Sequence, residues 1–184
     1  MQLQMISLPW EERMDRQEVT ASVLNYARSQ LGVTELTGNN DGIPAERYMQ
    51  GDKLPWCAGF VLWVFRQAGY RLPGNQFKDR AVSELETQLS LLACELESPV
   101  PGALIFFRKG HSSAGPSGHV GIIEDVKSAK GDEGFLITTI EGNSSNRVKR
   151  GRYDSSNPFI KGYYLWPKDD IDGTYTIPIQ RDTK

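Results

Sequence analysis

Cysteine and histidine are scarce in this chain of 184 residues, which contains two of each. Two cysteines are too few for the disulfide framework of a small secreted scaffold, so we expect both to be free thiols. The four residues are scattered without zinc-ligand spacing, and no loop has the acidic spacing of a calcium site. We therefore expect neither a metal ion nor any other cofactor.

An excess of charge of one sign is also absent. The net charge is −2, and no long run of lysine and arginine occurs, which argues against a nucleic-acid-binding surface. The longest apolar run, residues 58–65, is far shorter than the ~20 residues that a membrane span requires. We expect a monomer that binds neither nucleic acid nor membrane.

The N-terminal residues lack the features of a secretory signal peptide. Residues 1–12 contain no basic segment, no long apolar segment and no small-residue cleavage site. This predicts a protein that is cytoplasmic in the cell that produces it, without a Sec signal.

The hydrophobic pattern changes period along the chain, from helical to extended. Short connections between the later segments favour an antiparallel sheet and an α+β fold. We predict one domain over residues 1–167 and a C-terminal tail over residues 168–184. Helices are predicted at 16–31, 44–48, 57–69 and 79–96, and strands at 103–107, 119–126, 135–140 and 163–166.

Cys57 is the strongest candidate for a reactive group. It follows Pro55 and begins an apolar segment that reads as a buried helix. At a helix N-terminus the dipole and the unpaired N–H groups favour the thiolate, which is the nucleophilic form. Cys94, by contrast, lies in a mixed apolar segment and is expected to be buried and inert.

His119 is the candidate base for this thiol. It opens a predicted strand between Gly118 and Gly121, where glycines leave room for another group and the strand holds the imidazole. His111 lies in a loop and is expected to be solvated. The competing interpretation of His119 is a structural histidine at a strand edge.

Glu141 and Asn143 are candidates to orient the imidazole. They follow the next predicted strand and are two residues apart, so both side chains point to one face of an extended segment. If this strand pairs with that of His119, one or both reach the imidazole. The alternative is that they simply begin a polar loop.

Three residues are candidates for substrate contact. Trp56 precedes the nucleophile, so its ring either lines a groove or packs in the core. Asn39 and Asn40 lie in a turn-rich loop, and one of them could join the Cys57 backbone N–H in stabilising an oxyanion.

Taken in order, these segments resemble the motifs of CHAP domains, the cysteine, histidine-dependent amidohydrolases/peptidases. The resemblance spans residues 16–167, and it includes the entry segments 31–35 and 38–40. One departure is Gly102-Ala103, where many relatives have Gly-Asp. The motifs are Pro55-Trp56-Cys57-Ala58-Gly59-Phe60-Val61, Pro101-Gly102, Gly118-His119-Val120-Gly121-Ile122 and Glu141-Gly142-Asn143.

The resemblance implies a papain-like α+β fold, related to the NlpC/P60 group, with N-terminal helices and a central nucleophile helix packed on an antiparallel sheet. It implies Cys57 as the nucleophile, His119 as general base and then acid, Glu141 as the acceptor that orients the imidazole, and Asn143 as a further polar member of the site.

The activity implied is hydrolysis of an amide bond in peptidoglycan, either as an N-acetylmuramoyl-L-alanine amidase or as an endopeptidase acting on stem peptides. Such a protein would act on the cell wall or periplasm, as an antibacterial effector exported without Sec and paired with an immunity protein, or as a phage-type lysin released by lysis. Two alternatives remain open: a non-catalytic peptide-binding module of the same fold, and a papain-like hydrolase of a non-wall amide.

Overall fold

The computed structural model describes residues 10–73, 81–92, 94–111, 114–129 and 134–166, without the side chains of residues 10–15 and 111. Within these residues helices come first and strands follow, so the predicted α+β class is confirmed. The predicted tail, residues 168–184, lies outside the described residues. The elements are α1 (Trp10–Ser29), α2 (Ile43–Arg47), α3 (Cys57–Gln67), α4 (Val82–Leu91), β1 (Glu95–Leu96), β2 (Leu104–Arg108), β3 (Ser117–Ser128), β4 (Phe135–Glu141), β5 (Lys149–Asp154) and β6 (Ile160–Tyr164).

The strands form one six-stranded sheet in the order β1-β6-β2-β3-β4-β5, and every neighbouring pair is antiparallel. Strand β3 pairs with β4, which meets the condition under which Glu141 or Asn143 would reach the His119 imidazole.

Several boundaries and one strand differ from the prediction. The first helix, predicted at 16–31, extends from Trp10 to Ser29. The helix predicted to reach residue 96 ends at Leu91, because Glu95 and Leu96 pair with β6 as strand β1. Strand β6 begins at Ile160 rather than at residue 163. Strand β5 was not predicted. Its residues alternate between half-buried and exposed with little apolar content, and the ladder with β4 holds it in place.

Helix α3 is the centre of the main core. Eight of its eleven residues are buried, and it packs against β3 and α1. Gly59 is required for this packing, since a Cβ at that position would collide with the Met49 side chain and lie 3.0 Å from the Tyr48 carbonyl. Replacing the fully buried Phe65 by alanine would cost about 3–5 kcal/mol of stability. The helix that carries Cys57 is therefore held rigidly.

The opposite face of the sheet carries a second, smaller apolar cluster. Because side chains alternate along a strand, Leu104 and Phe106 of β2 pack under the helices, while Ile105 and Phe107 face the other way. Phe107 and Tyr153 belong to this second cluster. Both faces of the sheet are therefore buried around its central strands.

Irregular pairing interrupts β3 at two points. The register with β2 shifts next to His119, where Phe107 pairs with His119 and Arg108 pairs with Ser117. The register with β4 shifts between Ile123 and Asp125. Between these points, residues 119–122 pair regularly with β2.

Glu124, at the second irregularity, joins α1 to the sheet. Its carboxylate accepts hydrogen bonds from Arg150 Nε (2.6 Å) and from Arg28 Nε (2.8 Å). The bond from Arg150, joined by that from Arg28, lowers the pKa of Glu124 to about 2 although burial opposes the shift. This pairing fixes α1 against β3 and β5.

Glu86 joins α4 to the sheet in the same way. Its Oε2 atom accepts hydrogen bonds from Ser117 Oγ (2.9 Å) and Lys161 Nζ (2.6 Å). Ser117 is two residues before His119, so this contact fixes the start of the strand that carries the histidine.

In the described part of the chain, no helix is both long and apolar enough to cross a bilayer.

Candidate active site

Cys57 is the first residue of α3, as the sequence predicts. It is 5% exposed, and no acidic residue lies in the first turn to oppose the helix dipole. The first N–H groups of a helix have no partner within the helix, so they are available to a developing negative charge. The Cys57 side chain is hydrogen-bonded to that of His119.

His119 lies between the thiol and a buried carboxylate. Its Nε2 atom is 2.9 Å from Glu141 Oε2, which leaves Nδ1 for the thiol. Burial alone would lower the pKa of the imidazole, but the contacts with Cys57 and Glu141 outweigh it and raise the pKa to about 10. The site therefore favours an imidazolium, which is the form that can donate a proton.

Glu141 is held by three side chains. It is 1% exposed, and besides His119 it is bonded by the hydroxyl groups of Thr139 and Tyr153. Burial acts to raise the pKa of Glu141, yet the bonds from His119, Thr139 and Tyr153 hold it below its ordinary value. Burial and the Glu141 charge raise the pKa of Tyr153, so its hydroxyl remains a proton donor to the carboxylate.

Two glycines make room for this carboxylate. A Cβ at Gly121 would lie 2.8 Å from Glu141 Cγ. A Cβ at Gly151 would overlap Glu141 Oε1 and lie 2.6 Å from Thr139 Oγ1. Neither position has space for a larger residue unless Glu141 moves.

Asn143 contacts the backbone of Trp56 and the carboxylate of Glu35, whereas Glu141 contacts the imidazole of His119. Asn143 has a positive φ of 54°, and its amide is satisfied when its oxygen accepts from the Trp56 backbone N–H (3.1 Å) and its nitrogen donates to Glu35 Oε1 (3.2 Å). Of the two residues predicted to reach the imidazole, Glu141 does so. The described contacts of Asn143 are with the residues that precede and support the nucleophile.

Glu35 accepts hydrogen bonds from Trp56, Asn40 and Asn143, and we call these four residues the Glu35 network. Its carboxylate is 6% exposed and accepts from Trp56 Nε1 (2.7 Å) and from the Asn40 backbone N–H (3.0 Å). Sequence reasoning gave no role to Glu35, Thr139 or Tyr153. The two-residue spacing of Thr139 and Glu141 on one strand was a usable signal for Thr139, whereas Glu35 and Tyr153 depend on contacts with distant segments.

The prediction that Trp56 contacts substrate is wrong. Its side chain is fully buried, it stacks on Tyr48 with ring centroids 5.4 Å apart, and its N–H is bonded to Glu35. As the residue before α3, Trp56 directs its ring back into the core. Its position next to Cys57 in sequence therefore gives it no open surface.

Asn39 and Asn40 lie in different surroundings. Asn39 is exposed, and its amide donates to Thr37 Oγ1 (2.9 Å) within its own loop. Asn40 is half-buried, and its side-chain amide lies 3.3 Å from that of Asn143. Asn40 thus contacts a residue of the site, whereas the described contact of Asn39 stays within its own loop.

The remaining cysteine lies apart from these contacts. Cys94 is half-buried, burial raises the pKa of its thiol, and it lies 3.6 Å from the Leu92 carbonyl oxygen. The His111 side chain is outside the described residues.

A groove of about 640 Å³ lies beside the site, and its lining includes His119, Glu141 and Asn143. Aromatic rings of Phe107, Tyr153 and Phe159 line it, and Cys57 does not. Its volume is typical of sites that bind small ligands, ~300–1,000 Å³.

A thiol at the start of a buried helix, paired with a histidine and a glutamate on two neighbouring antiparallel strands, defines the papain-like α+β class of cysteine hydrolases. A family model described as the CHAP domain matches residues 49–143, which are just over half of the chain and include Cys57, His119, Glu141 and Asn143. The chain belongs to the CHAP domain family.

Two solved structures are similar to this chain. One is a protein described as similar to lipoprotein, NLP/P60 family, from Staphylococcus aureus subsp. aureus Mu50, with a TM-score of 0.48 and 18% identity. The match covers 80% of this chain and 41% of that one, so this chain spans less than half of that protein's length. The other is the P60 domain of an antigen from M. avium subspecies paratuberculosis, with a TM-score of 0.43, 19% identity and coverage of 80% and 95%. No curated protein sequence matches the chain.

Proposed function

We propose that the protein is a cysteine peptidoglycan hydrolase that cleaves an amide bond of bacterial wall peptides. The observation that carries the proposal is the continuous set of contacts from Glu141 through His119 to Cys57 at the start of α3. The bond cut is either the muramoyl-L-alanine amide or a peptide bond of the stem or cross-link.

In the first half of the reaction, the Cys57 sulfur attacks the amide carbonyl carbon, while the thiol proton resides on His119. Glu141 keeps the imidazole ring oriented and stabilises its positive charge. When the carbon–nitrogen bond breaks, the imidazolium gives its proton to the leaving amine. A thioester on Cys57 remains.

In the second half, His119 accepts a proton from water, and the resulting hydroxide attacks the thioester carbon. The acid product leaves, and the Cys57 thiolate is restored together with the imidazolium. Each tetrahedral intermediate carries an oxyanion that the backbone N–H of Cys57 can stabilise. Asn40 is better situated than Asn39 to be the second donor, a role that stays a prediction.

The Glu35 network supports this chemistry without taking part in it. Asn143 binds the backbone N–H of Trp56, the residue immediately before the nucleophile, and Glu35 binds the Trp56 ring. Both contacts set the position of the Cys57 backbone relative to the imidazole. We infer that Asn143 is a positioning residue rather than a direct partner of His119.

The test is digestion of purified peptidoglycan by the wild-type protein and by Cys57→Ala, with Cys94→Ala as the matched control. We expect wild type and Cys94→Ala to release fragments and Cys57→Ala to release none while remaining folded. Mass spectrometry of the products identifies the bond: intact stem peptides indicate an amidase, and shortened or uncross-linked peptides indicate an endopeptidase. Equal release by Cys57→Ala would refute the proposal.

A thiol-reactive probe separates this proposal from the alternative of a binding module. In an enzyme, Cys57 should be modified much faster than Cys94, whose pKa is raised by burial. Equal modification rates, together with unchanged peptidoglycan, would favour a module that only holds a peptide. Release of amide products from other substrates, with unchanged peptidoglycan, would indicate a non-wall hydrolase.

The setting we propose is the cell wall or periplasm, reached by export of an effector or by release of a lysin. Expression in a Gram-negative host, with and without an added periplasmic signal, tests this. Lysis is expected only when the protein is directed to the periplasm, and not with Cys57→Ala. Protection by a product of a neighbouring gene would identify an immunity protein and favour the effector.

A further inference from the structure

The groove beside His119 differs in charge from the chain as a whole. The chain has 23 acidic and 21 basic residues. Among the described residues that line the groove, the charged ones are Arg108, Lys109, Lys149 and Glu141. Glu141 is 1% exposed and is bonded by His119, Thr139 and Tyr153, so the surface presented to a ligand is cationic.

The fold holds these cations close to the reacting groups. Lys149 is half-buried on edge strand β5 and is the register partner of Glu141 on β4. Lys149, Gly151 and Tyr153 share one face of β5. Along that face, Lys149 supplies the charge, Gly151 leaves space for the Glu141 carboxylate, and Tyr153 binds that carboxylate.

Arg108 and Lys109 provide the charge on the opposite side, at the end of β2. The Arg108 guanidinium donates through one nitrogen to the carbonyl oxygens of Pro158 (3.1 Å) and Ile160 (2.5 Å), which fixes its position. Lys109 is exposed at the mouth of the groove. Phe107 and Tyr153, with ring centroids 4.7 Å apart, lie between the two sides.

The proton transfer from His119 indicates which fragment of a substrate binds in this groove. The imidazolium of His119 must donate its proton to the leaving nitrogen, so the fragment that carries this nitrogen lies against His119. His119 lines the groove, whereas Cys57 is not among the residues that line it. The amine fragment, rather than the acyl fragment that stays on sulfur, is therefore the one beside the cations.

We propose that the groove binds the amine fragment of the substrate and selects one that carries free carboxylates. The inference rests on the proposed function and specifies its substrate. In wall peptides, glutamate linked through its γ-carboxyl group has a free α-carboxylate, which some walls convert to a carboxamide. The cationic groove therefore favours wall peptides in which this α-carboxylate is free.

The test compares two preparations of the same soluble wall fragments. One retains its carboxylates, and in the other they have been converted to carboxamides with carbodiimide and ammonium chloride. The proteins are wild type, the double variant Lys109→Gln/Lys149→Gln and the control Lys127→Gln. Lys127 is an exposed lysine of β3 that lies outside the groove, 3.4 Å from Asp125.

We expect wild type and Lys127→Gln to have a kcat/KM about 3- to 10-fold higher for the carboxylate form, the size that two partly exposed ion pairs allow. The double variant should lose most of that preference, mainly through a higher KM for the carboxylate form. Added salt should reduce the wild-type preference as well.

Equal cleavage of both preparations by wild type would overturn the inference and leave the proposed function intact. The same would follow if the double variant lost activity toward both forms by the same factor and kept the preference. If wild type cleaved neither preparation, nor untreated peptidoglycan, the proposed function itself would fail, and the inference with it.

Discussion

Two buried glutamates are linked to Cys57, Glu141 through His119 and Glu35 through Trp56, and they differ in what they bind. Glu141 accepts from His119, a group that gains and loses a proton in each half of the proposed reaction. Glu35 accepts from the Trp56 ring, the Asn40 backbone and the Asn143 amide, none of which titrates near neutral pH. Both carboxylates are nearly inaccessible, at 1% and 6% exposure.

The comparison teaches that burial and hydrogen bonding do not by themselves mark a catalytic carboxylate. Removing a carboxylate that is bound to a titrating group should change the pH dependence of the reaction. Removing one that is bound only to N–H donors that do not titrate should change the stability of the protein and the position of the nucleophile. Four substitutions test this distinction.

Glu141→Gln should have the largest effect on activity. We expect kcat to fall by roughly 10²- to 10⁴-fold, because the imidazole loses the charge that orients and stabilises it. The raised pKa of His119, about 10, favours the imidazolium below that pH, so we expect wild-type activity to be lost as the pH rises through that value. Without the Glu141 charge the pKa falls, so the alkaline limb of the pH–rate profile should move to lower pH. An unchanged limb would contradict the role of Glu141.

Gly151→Ala should reproduce part of that loss without removing a polar group. The new methyl group would overlap Glu141 Oε1, so the carboxylate must move away from His119. A displacement of about 1 Å can cost up to roughly 10²-fold in rate, and we expect kcat to fall by about 10- to 100-fold. Arg152→Ala, on the exposed face of the same strand, is the control. Full activity of Gly151→Ala would mean that the geometry of Glu141 is not critical.

Glu35→Gln should act mainly on stability. An amide retains one acceptor oxygen but places an NH₂ group where another donor now binds, so about 1–3 kcal/mol of unfolding free energy should be lost. Urea unfolding measures this, with the exposed Glu18→Gln as the control. The alkaline limb of the pH–rate profile should stay where it is in wild type. A shift as large as that of Glu141→Gln would remove the distinction between the two carboxylates.

Tyr153→Phe should have the smallest effect. It removes one of the bonds to Glu141 but leaves those of Thr139 and His119. A net loss of about 1 kcal/mol corresponds to a fall of about 5-fold in kcat/KM. The alkaline limb should move slightly, in the same direction as in Glu141→Gln. A loss equal to that of Glu141→Gln would show that Tyr153 has a further role in the reaction.

Local patterns were enough to predict the parts of the site that lie on regular elements. The apolar run after Pro55 located the start of α3 at Cys57. Two neighbouring strand patterns led to the contact between His119 and Glu141, because consecutive strands with a short connection pair with each other.

The parts that were missed depend on tertiary contacts. Strand β5 has almost no apolar pattern, since its half-buried face consists of Lys149, Gly151 and Tyr153. Glu35 lies in an irregular segment, and two of its three hydrogen-bond donors belong to the distant residues 56 and 143. The role predicted for Trp56 was wrong because its position next to Cys57 in the sequence does not determine whether its ring faces the core or the surface.

The irregular pairing at both ends of the central part of β3 has a consequence for how this chain can vary. Residues 119–122 form a short regular segment in which each side chain alternates between the helix face and the groove face. Inserting or deleting one residue within it would exchange the two faces, turning the imidazole under the helices and an apolar side chain toward Glu141. Loops usually tolerate the insertion or deletion of a residue. In residues 119–122, a change of one residue would move the side chains of the site to the opposite face of the sheet. We therefore expect a one-residue insertion or deletion to be tolerated far less well at these positions than in the connecting loops.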